Sequence, residues 1–183
     1  MYPEEFDPKK VIGKVLISQE EIQARVKQLG AELTQIYQDK SPLMICVLRG
    51  AAFFFTDLTQ AMDCDMDMDF IAVSSYGHGT NSTGAVKLVK DVSSDVTDRH
   101  VVIVEDIVDT GLTLQYLTKL FRARGAKTVD TVVFLDKRER RETDIQADYV
   151  GYVIPNEFVI GYGLDYLDHM RNLPYIGVVE FDD

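Results

Sequence analysis

The hydrophobic and polar positions of this chain form two patterns: apolar residues spaced three and four apart, and short unbroken apolar runs. Ser18 to Glu21 has the form of a capping box, and apolar residues follow it at alternating spacings of four and three: Ile22, Val26, Leu29, Leu33 and Ile36. This spacing predicts a helix that ends near residues 39–42. Two further helices are predicted over residues 51–62 and 112–124, the second closed by Gly125.

The unbroken apolar runs predict strands that are buried on both faces. Leu43–Leu48 stops at Arg49-Gly50, and the run over residues 100–104 stops at an acidic pair. Shorter strands are predicted at 70–75, 85–90, 129–135, 149–154, 158–161 and 175–179. Strands that alternate with helices indicate an α/β fold, with a mainly parallel, twisted sheet flanked by helices and a loop-rich C-terminal third.

Composition supports one ordinary globular domain over residues 1–183. The 183 residues are 46% hydrophobic and 27% charged, with no internal repeat or low-complexity tract. A chain of this length buries roughly 70% of its extended surface on folding, which is enough for one core. The longest apolar run is far shorter than the roughly 20 residues of a membrane span, so no membrane association is expected.

Net charge and cysteine content limit the possible partners and the expected cellular location of the protein. Thirty acidic against nineteen basic residues give a net charge of −11, which argues against nucleic acid as the main partner and requires any phosphate to be bound locally. The acidic N-terminal segment lacks the apolar core of a secretory signal, so a cytoplasmic location is expected. Cys46 and Cys64 form no C-x-x-C motif, which argues against disulfides and thiolate metal sites.

Residues 101–113 carry the densest candidate chemistry. Glu105, Asp106 and Asp109 follow a predicted strand, and residues 110–113 open a predicted helix, whose N–H groups and positive dipole end suit a phosphate. Carboxylates beside an anion site indicate a ligand that also carries hydroxyl groups, a metal ion or a mobile proton, as ribose 5-phosphate derivatives do. The pattern alone leaves an alternative open, in which the acidic pair ends a strand and Asp109 caps the helix.

Other phosphate-binding motifs fail on particular residues. A Walker A loop needs a lysine after its second glycine, whereas Leu112 follows Gly111 here. A dinucleotide fingerprint beginning at Gly161 and Gly163 would need a glycine in place of Tyr166. A receiver domain would carry its acidic pair after an early strand, and this pair lies beyond the middle of the chain.

Five segments, in their order and spacing, resemble the hypoxanthine-guanine phosphoribosyltransferases. Residues 102–113 are similar to the phosphoribosyl diphosphate motif that type I phosphoribosyltransferases of many base specificities share. The other segments are Leu48-Arg49-Gly50-Ala51, Ser74-Ser75-Tyr76-Gly77, Leu135-Asp136-Lys137-Arg138, and residues 158–166 with Arg171 beyond them. The resemblance implies a type I phosphoribosyltransferase fold with a small loop-rich hood. It also implies Mg²⁺-dependent transfer of a phosphoribosyl group to hypoxanthine or guanine in purine salvage.

The resemblance also implies roles for particular residues. Asp109 accepts the proton shed by the purine, and Glu105, Asp106 and Asp165 serve the Mg²⁺ ions. The sugar phosphate is held by Glu105, Asp106, Ile107, Val108, Asp109, Thr110, Gly111, Leu112 and Thr113. Pyrophosphate contacts Leu48, Arg49, Gly50 and Arg171, together with Ser75 and Tyr76 of a mobile loop. The purine meets Lys137 at its O6 atom, Phe158 on its face, and the backbone carbonyls of Val159 and Asp165.

Three questions stay open at the level of sequence. Regulators of this fold use phosphoribosyl diphosphate as a signal while binding RNA or DNA, although the charge of −11 weighs against that class. An enzyme of the same class could prefer xanthine, because backbone carbonyls would read the purine 2-position. The family also implies a homo-oligomer, either a dimer or a tetramer.

Overall fold

The computed structural model describes residues 12–75 and 86–180 and arranges them as an α/β structure. In chain order the elements are β1 (Ile12–Ile17), α1 (Gln19–Tyr37), β2 (Leu43–Leu48), α2 (Ala52–Ala61), β3 (Asp67–Ser75), β4 (Val86–Lys90), β5 (His100–Val108), α3 (Leu112–Ala123), β6 (Thr128–Asp136), β7 (Tyr149–Val153), β8 (Val159–Ile160) and β9 (Ile176–Val179). The predicted helices and strands are confirmed, with ends shifted by a few residues. Strand β1 was not predicted, because Gly13 and Lys14 interrupt its apolar pattern and its partner β9 lies at the other end of the chain.

The main sheet has six strands in the order β4-β3-β2-β5-β6-β7. All neighbouring pairs are parallel except β3 with the edge strand β4. In β2, Met44 and Cys46 face one hydrophobic cluster, whereas Ile45 and Val47 face the other. Burial on both faces explains why the sequence of this strand is an unbroken apolar run.

Helices cover both faces of this sheet. The α1 helix begins with the predicted capping box, in which Glu21 N donates to Ser18 Oγ (3.2 Å) and Ser18 N donates to Glu21 Oε2 (2.8 Å). The apolar stripe of α1 packs with α2 against one face, and α3 covers the other through Leu114, Leu117 and Phe121. None of the helices in the described part of the chain is both long and apolar enough to cross a bilayer.

A smaller antiparallel sheet, β1-β9-β8, forms the predicted hood together with the loop over residues 161–175. Its inward side chains, among them Ile17, Val159, Tyr162 and Val178, belong to the same hydrophobic cluster as α1 and α2. The hood is therefore packed on the helical layer of the main sheet. The loop between β8 and β9 begins beside the carboxyl end of β2, where a methyl group on Gly163 would overlap the carbonyl oxygen of Gly50.

Candidate active site

The acidic pair lies inside the central strand rather than after it. The β5 strand continues to Val108 because its last residues keep pairing with β6, Glu105 opposite Val133 and Val108 opposite Asp136. The Glu105 side chain is therefore buried, with the residue 6% exposed, and no partner reaches its Oε2 atom within the described residues. A buried carboxylate oxygen without a partner can accept a hydrogen bond from a hydroxyl group or bind a cation.

Burial changes the proton affinity of both acids. The loss of solvation raises the pKa of Glu105 well above its usual range, and repulsion from Asp106 adds to this, while Arg141 opposes it. Burial likewise raises the pKa of Asp106 to about 6, although the N–H of Ile107, 2.9 Å from Asp106 Oδ1, favours the charged form. Two adjacent acids with raised pKa values are typical of functional sites.

The turn that follows β5 opens directly into α3. Gly111 is the N-cap residue with φ +85°, a left-handed conformation that favours glycine, and it has no side chain to cap the helix. The Leu112 N–H, the first of α3, donates to Thr110 Oγ1 at 3.4 Å. Asp109 does not cap α3, so the alternative reading of this residue as a helix cap is wrong. A cavity of about 100 Å³ opens here, lined by Glu105, Ile107, Val108, Asp109, Thr110, Gly111, Thr113 and Leu114. It unites the predicted sugar-phosphate residues except Asp106 and Leu112.

Asp109 directly follows β5 and lines this cavity, and Lys137 directly follows the neighbouring strand β6. Asp109 Oδ2 is 3.2 Å from Arg140 Nη1, whereas its Oδ1 atom is buried and has no partner among the described residues. Lys137 is only 7% exposed, and its N–H donates to Val108 O (2.9 Å). Burial lowers the pKa of Lys137, and the nearby Asp109 opposes that shift. The lysine is thus not the solvated charge that its basic neighbours suggest.

The predicted pyrophosphate loop follows β2 and contacts Asp106. Its Leu48–Arg49 peptide bond is cis. Gly50 packs so closely against Asp106 that a methyl group on Gly50 would overlap the Asp106 Oδ2 atom. Gly50 also meets Gly163, so the loop lies between Asp106 and the hood.

A cluster of ion pairs joins the hood loop to the pyrophosphate loop. Arg171 Nη2 is 2.6 Å from Asp165 Oδ1 and 3.3 Å from Asp168 Oδ1, and Arg171 Nη1 donates to Gly163 O at 2.8 Å. Arg49 Nη2 is 2.6 Å from the same Asp168 oxygen. The sequence analysis missed Asp168, although its three-residue spacing from Arg171 was a weak signal for the contact.

The remaining predicted residues are less closely associated. Phe158 is 44% exposed, and its ring meets the edge of Tyr166 with the centroids 5.7 Å apart. Val159 is buried in β8. Ser75 ends β3, but its side chain and all of Tyr76 lie outside the described residues. The segment after β6 also approaches Asp109 through Arg140 and Arg141, which the sequence analysis assigned no role because a run of charges is usually solvated.

Comparison with known proteins agrees with this geometry. The family model of the phosphoribosyl transferase domain matches residues 18–167. The hypoxanthine-guanine phosphoribosyltransferase of Bacillus subtilis (strain 168) is 56% identical over 169 residues, 92% of this chain and 94% of that protein. The bifunctional protein TilS/HprT of Listeria monocytogenes serotype 4b is 52% identical over 92% of this chain, which spans 26% of that longer protein. The crystal structure of a hypoxanthine phosphoribosyltransferase from Staphylococcus aureus is 44% identical with a TM-score of 0.91, covering 97% of each chain.

The chain therefore belongs to the phosphoribosyl transferase family, in the hypoxanthine-guanine group that its five segments resemble. The expected family, the type I fold and the enzyme class are confirmed. The roles of individual residues remain predictions.

We predict that Glu105→Gln stabilises the substrate-free protein at pH 8. Because the pKa of Glu105 is higher in the folded than in the unfolded chain, its contribution to stability is full at low pH and is lost as the pH rises through the folded-state value. Glutamine does not ionise, so the variant does not lose this stability as the pH rises. The free energy of unfolding in urea should rise by about 1–3 kcal/mol at pH 8, the usual cost of an unsatisfied buried polar group.

The pH dependence of the gain in unfolding free energy shows whether it comes from the charge of Glu105. The gain should shrink at pH 4.5, because the unfolded-state carboxyl group is then largely protonated as well. Glu32→Gln, on the exposed face of α1, should change little at either pH. An equal gain at both pH values, or a loss at pH 8, would contradict the argument.

Proposed function

We propose that this chain transfers the 5-phosphoribosyl group of phosphoribosyl diphosphate to hypoxanthine or guanine, giving the nucleoside monophosphate and pyrophosphate. The observation that carries the proposal is one small cavity that joins a buried acid, Glu105, to Asp109 and to the start of α3, where glycine is the N-cap residue. This combination suits a ligand with a phosphate, vicinal hydroxyl groups and a reacting carbon. The named activities of the Bacillus subtilis and Staphylococcus aureus relatives support the choice of base.

The two ends of the sugar phosphate call for opposite charges. Residues 109–113 offer N–H groups and the positive end of the α3 dipole to the 5′-phosphate. Glu105 and Asp106 accept hydrogen bonds from the ribose hydroxyl groups. Their negative charge faces a sugar ring that becomes cationic as pyrophosphate departs. Fixed charges of this kind in a buried site stabilise the transition state without having to reorganise.

Asp109 is the proposed general base. Its buried Oδ1 atom has no partner within the described residues and can accept the proton that the purine ring loses as N9 attacks C1′. Arg140 holds the other carboxylate oxygen at 3.2 Å and so fixes the direction of the group. The neighbouring Lys137 is a pure donor, which suits the O6 atom of a 6-oxopurine and leaves the 6-amino group of adenine unpaired.

We expect Glu105 and Asp106 to hold a divalent metal ion together with oxygens of the substrate. Among residues 12–75 and 86–180, no three His, Cys, Asp or Glu side chains form a site that could hold a metal unaided. That suits Mg²⁺, which keeps water and substrate oxygens and takes few carboxylates. When bound, Mg²⁺ would neutralise the departing diphosphate, with Glu105 and Asp106 as its nearest protein charges. Asp165 is the third proposed carboxylate, although Arg171 and the Asp168 N–H (2.8 Å) already occupy its two oxygens.

Pyrophosphate is proposed to bind where the loop after β2 meets the hood. Arg49 and Arg171 share Asp168, and Gly50 brings the loop that carries Arg49 against Asp106. A polyanion can displace Asp168 from both guanidinium groups, so binding exchanges one set of ion pairs for another. Ser75 and Tyr76 are retained as proposed contacts from the loop that follows β3.

Two further features of the chain concern the cellular location and the oligomeric state of the enzyme. A cytoplasmic location stays part of the proposal; Cys46 and Cys64 are both free thiols. Met68 and Phe70 expose apolar side chains on one face of β3, 57% and 40% exposed. Such a patch supports the proposed homo-oligomer, a dimer or tetramer. Light scattering would give the mass directly, and a monomer at micromolar concentration would contradict this part of the proposal.

The direct test of the function is nucleotide formation from phosphoribosyl diphosphate with hypoxanthine, guanine, xanthine and adenine in parallel. Each reaction is run with Mg²⁺ and with a chelator. Metal-dependent product from hypoxanthine or guanine, and none from adenine, is the expected outcome. Product from none of the bases, with folded protein, would overturn the proposal and favour a regulator that only binds phosphoribosyl diphosphate.

We predict that Asp109→Asn lowers kcat by about 10²–10⁴, the usual contribution of a general base. The affinity for phosphoribosyl diphosphate should change by less than about threefold, because the backbone of the turn is kept. Steady-state kinetics and calorimetry measure the two quantities. Asp144→Asn, at an exposed position, should retain wild-type turnover, and unchanged turnover in Asp109→Asn would remove Asp109 as the base.

We predict that Lys137→Met raises the KM for hypoxanthine by about 10- to 100-fold, the range expected for a lost hydrogen bond to a charged group. Discrimination against adenine should weaken as well, because the donor that rejects its amino group is gone. Lys119→Met, exposed on α3, is the matched control. Full retention of hypoxanthine KM and selectivity in Lys137→Met would exclude the proposed O6 contact.

A further inference from the structure

A buried ion pair lies beneath the turn that carries Asp109. Asp136, the last residue of β6, is 4% exposed and bonds to the Nη2 atom of Arg141. The same guanidinium group donates from Nη1 to Ile145 O (2.5 Å) and from Nε to Asp109 O (3.3 Å). A planar group with five donors can reach three segments at once, which a lysine ammonium cannot reproduce.

Residues 137–143, which we call the clamp segment, lie alongside the turn that carries Asp109 and donate hydrogen bonds to it. The N–H of Lys137 donates to Val108 O at 2.9 Å, and the N–H of Glu142 donates to Thr110 O at 2.9 Å. With the bond from Arg141 to Asp109 O, three consecutive carbonyl groups of the turn are held by the clamp segment. Arg141 supplies the middle one.

The direction of these carbonyl groups fixes the direction of the next N–H groups. In a trans peptide the C=O and the following N–H point to opposite sides of the chain. The carbonyl groups of residues 108–110 face the clamp segment, so the N–H groups of residues 109–111 face away from it. None of these three N–H groups donates a hydrogen bond to a described residue. Residues 109–111 also line the 100 Å³ cavity that receives the proposed 5′-phosphate.

We propose that Arg141, fixed by Asp136, is a positioning residue that preorganises the phosphate cradle by holding the carbonyl group of Asp109 away from the ligand. The inference rests on the proposed function of the turn. Close packing supports it, since a methyl group on Gly111 would overlap the side chains of Arg141 and Thr143. A cradle whose amides are already aligned binds its anion without a further ordering cost.

The test compares two ligands that use different parts of the site. Arg141→Gln should weaken the affinity for inosine 5′-monophosphate by about tenfold or more, because the amides of the turn lose their alignment. Its affinity for pyrophosphate, measured in the same calorimetric experiment with Mg²⁺, should stay within about twofold, because Arg49 and Arg171 are untouched. A residue that only stabilised the fold would weaken both ligands together.

Arg138→Gln is the matched control. Arg138 also bonds to Asp136, at 3.2 Å, but its side chain is 68% exposed and it makes no hydrogen bond to the turn in the described part of the chain. Both affinities should remain at the wild-type level in this variant. A loss of nucleotide affinity equal to that of Arg141→Gln would overturn the proposal, since it would assign the effect to Asp136 and not to the contact with the turn.

The stability of the variants is separated from positioning by a double substitution. Removing Arg141 alone leaves the buried Asp136 carboxylate with only the exposed Arg138 as a partner, which is destabilising, whereas Asp136→Asn with Arg141→Gln removes both charges. The double variant should recover much of the lost thermal midpoint and still bind inosine 5′-monophosphate weakly. Recovery of both the thermal midpoint and the nucleotide affinity in the double variant would overturn the proposal. Wild-type nucleotide affinity in Arg141→Gln, or failure of the single and the double variant to fold, would overturn it as well. A wild-type protein that neither forms nor binds the nucleotide would instead overturn the proposed function.

Discussion

The burial of Glu105 and the partial burial of the adjacent Asp106, near the end of a central parallel strand, are the constraint on which the site depends. Glu105 and Asp106 belong to β5, which has β2 on one side and β6 on the other, with helices over both faces of the sheet. Ionised carboxylates in such a position are unfavourable for folding. The same burial makes them effective toward a cationic sugar or a metal ion, because little water competes with them.

Parallel strands bring the other parts of the site to the same place. The carboxyl ends of β2, β5 and β6 lie at one edge of the sheet, so the segments 48–50, 109–113 and 137–143 meet there. The hood adds residues 161–171 from above, with Gly163 in contact with Gly50. Functional groups therefore come from four separated parts of the chain, as expected for an α/β sheet whose ligand binds outside the strand ends.

Local pairing of charges explains how an acidic protein can bind polyanions. The chain carries a net charge of −11, yet Arg49, Arg171, Arg140 and Arg141 all lie at this edge, each beside a carboxylate. These pairs hold the guanidinium groups in defined directions. Binding then redistributes existing charges, so the site does not depend on the overall charge of the surface.

The sequence by itself determined what depends on neighbouring residues. The spacing of apolar residues in α1, the unbroken run of β2 and the turn before α3 each follow from local patterns, and all were predicted. The resemblance of five segments further identified the family and proposed the residues of its site.

Only the tertiary structure decided what depends on partners distant in the chain. β1 exists because it pairs with β9, and β5 extends through Glu105 because β6 lies beside it. Lys137 and Arg141 stand in one charge run but are withdrawn from solvent under the Asp109 turn. No local pattern separates such residues from solvated charges, because burial is a property of the three-dimensional surroundings.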